Sequence, residues 1–153
     1  MSERGLSVFD ETVQLTNIWL KELMEELGWE DRHRAYLGLR LVLQAIRDHL
    51  SVDEAVHLGA QLPMLVRGFY YEGWRPSRAP DRNRSVDDFL HRIEDGFHQM
   101  PGNEYIDPAE LTAAVFAVLR RRISAGEFDQ VVHALPKAIR KLAPEKRKPR
   151  ALA

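Results

Sequence analysis

Four side chains able to ligate a metal, His91, Glu94, Asp95 and His98, stand at i, i+3, i+4 and i+7. On a helix they share overlapping faces and offer the imidazole and carboxylate groups that hold zinc or iron in helical bundles. Two helical turns separate the histidines by roughly 10 Å, too far for one ion unless a second helix completes the site. Phe89, Leu90, Ile93 and Phe97 claim the buried side of the same helix, so the polar four read as its wet face. The chain holds six histidines and no cysteine, which excludes thiolate sites, Fe–S clusters, disulfides and cysteine nucleophiles together. His57 and His133 are not equivalent in the repeat described below, which argues against a symmetric pair of sites. No metal site and no cofactor is expected.

The most site-like run is Phe69, Tyr70, Tyr71 and Trp74 followed by Arg75, which packs four of the thirteen aromatics into six residues. Rings beside an arginine have the composition of a protein interface or a base-stacking surface. The competing reading is a helix end whose rings cover the gap between two halves of the fold, with hydroxyls and indole N–H bonded locally. An interface requires some of these rings to stay exposed as one apolar patch.

A second candidate is electrostatic. From Lys137 onward there are seven basic residues and one acid, against fifteen basic and twenty-two acidic residues before it. Lys141, Lys146, Arg147, Lys148 and Arg150 form a basic tail that can meet a polyanion with steep salt dependence. The body is acidic and offers no evident recognition helix, so nucleic-acid binding is the alternative to a solubilising terminus. No phosphate-cradling glycine loop, nucleophile elbow or zinc-protease helix motif is present, and nothing places two of the many acids in one apolar cleft. An enzyme or metal-binding helical bundle therefore stands as an alternative and not as the expectation.

These residues must be positioned by helices. At an offset of 73 residues, AIRDHLSVDEAVHLGAQLPMLVRG aligns without a gap on VLRRRISAGEFDQVVHALPKAIRK. Arg47, Ser51, Glu54, Leu62, Pro63 and Arg67 recur as Arg120, Ser124, Glu127, Leu135, Pro136 and Arg140. Self-similarity of this kind marks one supersecondary unit used twice. The recurring charges read as structural bonds, and the two glutamates as members of Ser-x-x-Glu capping boxes.

A stripe of Leu20, Leu23, Met24 and Leu27 ends at Gly28, and Asp31 caps a helix with Ala35, Leu39, Val42, Leu43, Ile46 and Leu50 on one face. Leu37 and Leu41 lie off that face, so this helix is buried on more than one side. Ser51, Ser85, Asp107 and Ser124 start further helices, while Pro63 and Pro136 each open a short one as its first residue. No segment alternates with period two between turn signals, so strands are not expected. RPSRAPDRNR, residues 75–84, reads as a linker, and residues 144–153 as a disordered tail.

The run AQLPMLVRGFYYEGWRP, with the helix before it and VDDFL after it, resembles a bacterial family called domain of unknown function 2267. Gln61, Leu62, Pro63, Arg67, Tyr70, Tyr71, Glu72, Gly73 and Trp74 carry the resemblance. It covers Leu27 to about Ile93 and extends more weakly to about Leu142, where KLAPEK stands in place of the aromatics. It implies a small, helical, usually cytoplasmic bacterial protein and brings no accepted activity or catalytic residues.

The expectation is therefore one all-α domain over residues 6–143, built of two pseudo-repeats of about four helices each. Repeat one spans about 15–74 and repeat two about 85–143, docked through the second and sixth helices. Its role is expected to be that of a cytoplasmic, non-catalytic interaction or regulatory module. The partner is an unidentified protein, with a second copy of the chain as one candidate, met at Phe69, Tyr70, Tyr71, Trp74 and Arg75. Charges interrupt every apolar run short of the ~20 residues of a membrane span, and MSERGLSVFDE lacks the pattern of a secretory signal.

Overall fold

The computed structural model describes residues 5–100 and 105–144. Among them the chain forms eight α-helices, a 3-10 turn at Pro76–Arg78, and no strand, as the missing period-two patterns imply. The helices are α1 (Ser7–Leu27), α2 (Arg32–Asp48), α3 (Val52–Gln61), α4 (Met64–Tyr71), α5 (Val86–His98), α6 (Pro108–Arg122), α7 (Ala125–Ala134) and α8 (Lys137–Arg140). None is long and apolar enough to cross a membrane.

Local chemistry sets most of the starts. Asp31 accepts from the N–H groups of His33 and Arg34, and Asp107 from those of Ala109 and Glu110. Ser51, Ser85 and Ser124 accept from Glu54, Asp88 and Glu127. Each cap satisfies a donor that the first turn leaves without an intrahelical partner. Ser51→Ala and Ser124→Ala should each lower the stability by about 1 kcal/mol in denaturant titrations. Gly28, at φ 69°, takes the left-handed conformation that closes α1.

Three local expectations need correction. The first helix reaches back to Ser7, well before the Leu20 stripe, because Thr12 and Thr16 occupy buried positions in its early turns. The Thr16 hydroxyl donates to the Thr12 carbonyl at 2.7 Å, so a polar residue fills an apolar position at little cost. Pro63 and Pro136 are caps rather than first helical residues, with ψ of 151° and 143° keeping them extended. The capping boxes are one-sided: the Ser124 N–H donates to Gln61 Oε1, and neither glutamate returns a bond to its serine.

Helix α2 lies at the centre, against α1, α4, α5 and α6. Leu37, Leu39, Val42, Leu43 and Ile46 from α2 are buried, as are Leu111, Val115, Phe116, Val118 and Leu119 from α6. Close approach depends on two glycines. A Cβ at Gly38 would sit 2.8 Å from Leu111 Cδ1, and one at Gly96 2.5 Å from Leu41 Cδ2. Arg121 pairs with Glu22 and Glu26, and Arg122 with Glu22, tying α6 to α1.

The recurring arginines are used as bonds. Arg67 donates to the Gly59 and Leu62 carbonyls at the end of α3. Arg140 does the same for Val132, His133 and Leu135 at the end of α7. Both satisfy carbonyls that the last turn of a helix leaves without partners.

Candidate interaction site

The end of α2 organises the aromatic run and the segment after it. Arg47 is buried, and its Nη1 donates to the carbonyls of Tyr70 (2.7 Å) and Glu72 (2.9 Å) where α4 ends. Its Nε donates to Asp48 Oδ1 at 2.8 Å, and Arg92 of α5 takes the other Asp48 oxygen. Burial alone would raise the Asp48 carboxyl, but the bonds from Arg47 and Arg92 outweigh it and hold that group below the usual carboxylate range. The Asp48 carbonyl accepts from the Asp81 N–H at 2.7 Å. Buried His49 lies between the Ala45 and Asn83 carbonyls, at 2.8 and 3.1 Å. The segment 75–84 is thus tied to the end of α2 through Asp81 and Asn83.

The same packing divides the aromatic run. Phe69 and Tyr70 are core residues. The Tyr70 hydroxyl donates to the Ala55 carbonyl at 2.7 Å, and burial pushes its phenol well above the ordinary range. Tyr71 and Trp74 are half-buried at the edge of the core, with ring centroids 5.5 Å apart. Tyr71 lies so close to α3 that a Cβ at Gly59 would meet its hydroxyl at 2.3 Å. The Trp74 indole N–H has no hydrogen-bond partner among the described residues. The four rings do not make one exposed patch; Tyr71, Trp74 and exposed Arg75 reach the surface.

Beside them opens a cleft of about 760 Å³, lined by Asp48, Gly73, Arg75, Ser77 and residues 78–82. Arg75, Arg78 and Arg82 are exposed, and none forms an ion pair with a described residue. Of the two acids lining the cleft, Asp48 is already committed to Arg47 and Arg92, and the Asp81 carboxylate accepts from the Asn83 N–H through Oδ1. Three arginines without an ion-pair partner among the described residues thus line the cleft against the one carboxylate of Asp81, and a guanidinium suits carboxylate or phosphate.

Two further surfaces were not anticipated from the sequence. Val8, Phe9, Val13 and Leu15 of α1 are exposed, as are Met64 and Leu65 of α4. The bond from the Leu65 N–H to the Thr12 hydroxyl joins the two helices that carry them. The second is a grouping of Glu54, His57 and Glu127, whose ligand atoms lie within 4.8 Å of one another. Glu54-x-x-His57 is a visible signal for it, but Glu127 joins only because α3 packs on α7. His91, Asp95 and His98 are exposed and Glu94 is half-buried on α5, forming no such grouping. Of the basic tail, Lys141 is exposed after α8, while Lys146, Arg147, Lys148 and Arg150 lie outside the described residues.

Fold and site together define an all-α protein with an arginine-lined cleft at one end of its central helix. The chain belongs to the DUF2267 family: the family model described as "Uncharacterized conserved protein (DUF2267)" matches residues 16–142. The resemblance carried by the aromatic run is thus borne out and extends through the second half of the chain. No curated protein matches it.

Proposed function

We propose that the protein is a cytoplasmic, non-catalytic interaction module that takes an acidic segment of a partner protein into the cleft of Arg75, Arg78 and Arg82. The observation that carries this reading is three exposed guanidinium groups around one cleft with no ion-pair partner among the described residues. Arginine binds carboxylate through two parallel N–H donors, and the Tyr71 and Trp74 edges add apolar contact beside the charge. A cleft of this volume suits a short stretch of chain.

A peptide is favoured over nucleic acid because the body before Lys137 carries a surplus of seven acids. Such a field repels an extended polyanion and tolerates a short acidic segment at a basic cleft. The tail from Lys141 onward remains the route for the nucleic-acid alternative. A second reading is self-association through the exposed apolar residues of α1 and α4, two helices joined at Thr12 and Leu65, because contiguous exposed apolar surface marks association.

Fluorescence polarisation with a labelled Glu/Asp-rich peptide and a labelled single-stranded oligonucleotide tests the reading. The peptide should bind and weaken with salt. Arg75→Glu, Arg78→Glu and Arg82→Glu combined should lower its affinity at least about tenfold by placing like charges opposite it. Peptide binding unchanged in that variant would sink the cleft. Oligonucleotide binding that disappears on truncation after Leu142, with no peptide binding, would select the tail instead.

A further inference from the structure

Glu54 and Glu127 each occupy the first turn of a helix, α3 and α7, and the two helices pack together. Glu127 is 9% exposed and Glu54 half-buried, and each has a buried carboxylate oxygen, Oε2, without a hydrogen-bond partner among the described residues. Two unpartnered carboxylates facing each other are costly, because burial weakens hydration and their charges repel. Burial, with Glu54 beside it, pushes the Glu127 carboxyl upward against a smaller opposing pull from His57. Helix capping leaves these oxygens unexplained, since the caps use the serine side chains and the glutamate N–H groups. His57, one turn along α3 from Glu54, brings an exposed imidazole to the same point.

We propose that Glu54, His57 and Glu127 form a binding site for a divalent first-row transition cation such as Zn²⁺, held between α3 and α7. Two carboxylates balance the charge of such an ion, and an imidazole selects it over the hard cations calcium and magnesium. Zinc bonds of about 2.0–2.2 Å require the ligand atoms to draw closer than their present 4.8 Å limit. Rotation of exposed His57 and half-buried Glu54 supplies that movement, while Glu127 is held in place by its burial. Three protein ligands leave a position for water on the exposed His57 side. The ion replaces the repulsion of the two glutamates with a bond joining α3 to α7. This site shares no residue with the arginine cleft, so the two proposals stand or fall separately.

Thermal unfolding of the chelator-treated full-length protein, with ZnCl2 or CaCl2 added, tests the proposal. A hundredfold excess of Zn²⁺ over Kd should raise the wild-type Tm by about 5–10 °C, with calcium without effect. His57→Ala and Glu127→Gln should each abolish the zinc-induced rise. Glu127→Gln should also leave the metal-free Tm at or above the wild-type value, since it removes one of two facing charges. Calorimetry should show one ion per wild-type chain. The proposal is overturned if millimolar Zn²⁺ leaves the wild-type Tm unchanged, if calcium acts equally, or if the rise persists in both variants. Persistence in the variants would place the ion on other histidines.

Discussion

Replacing Arg47 with alanine should destabilise the protein by about 3–5 kcal/mol, a large share of the ~5–15 kcal/mol typical of a domain. The Arg47 side chain is 3% exposed, and its guanidinium bonds at once to the Tyr70 carbonyl, the Glu72 carbonyl and the Asp48 carboxylate. Truncation removes one side chain but leaves several acceptors. Each carbonyl stranded away from water costs about 1–3 kcal/mol, whereas its hydrogen bond contributed less in net terms. Arg47→Met should recover part of the packing and none of the bonding, and so remain well below wild type. The measurement is the denaturant midpoint, with an unchanged m-value showing that the folded state is the one affected. A loss under about 1 kcal/mol would mean that water reaches these carbonyls and that α2 does not anchor the end of α4.

Tyr70→Ala should cost a similar amount, about 3–5 kcal/mol, for a different reason. The ring is fully buried and packs edge-on to Tyr71 with centroids 4.9 Å apart, so its removal leaves a cavity. Tyr70→Phe keeps the ring and loses only the bond to the Ala55 carbonyl, which should cost about 1 kcal/mol. Arg47→Ala and Tyr70→Ala combined should fall short of the sum of the two, because Arg47 also holds the Tyr70 carbonyl. Strict additivity would show that the packing of the ring and the bond to its carbonyl are independent. Both changes should also weaken the arginine cleft, since Glu72 and Asp81 are held by the same turn of α2.

Helix boundaries were legible where they depend on neighbours a few residues away. Asp31, Ser51, Ser85, Asp107 and Ser124 all cap, because a cap needs only its own oxygen and an N–H two or three residues on. The early turns of α1 were not legible, because Thr12 and Thr16 break the apolar stripe and their burial depends on helices distant in the chain. Of the candidate site, the aromatic composition was legible and its division was not. Tyr70 and Trp74 stand four residues apart, yet α4 ends between them, leaving one ring in the core and the other at its edge.

The amino-acid sequence by itself determined an all-α chain, most of its helix starts, and the stripes of apolar residues that face inward. Those properties follow from periodicity and from hydrogen bonds between near neighbours. Tertiary structure alone decided that residues 75–84 fold against α2, so that Arg75, Arg78 and Arg82 ring one cleft. It also decided that Glu127 meets Glu54 and His57 across 73 and 70 residues of chain. The physical reason is common to both. A charge becomes a site only through the groups that surround it, and here these come from segments that the packing of α2, α3 and α7 brings together.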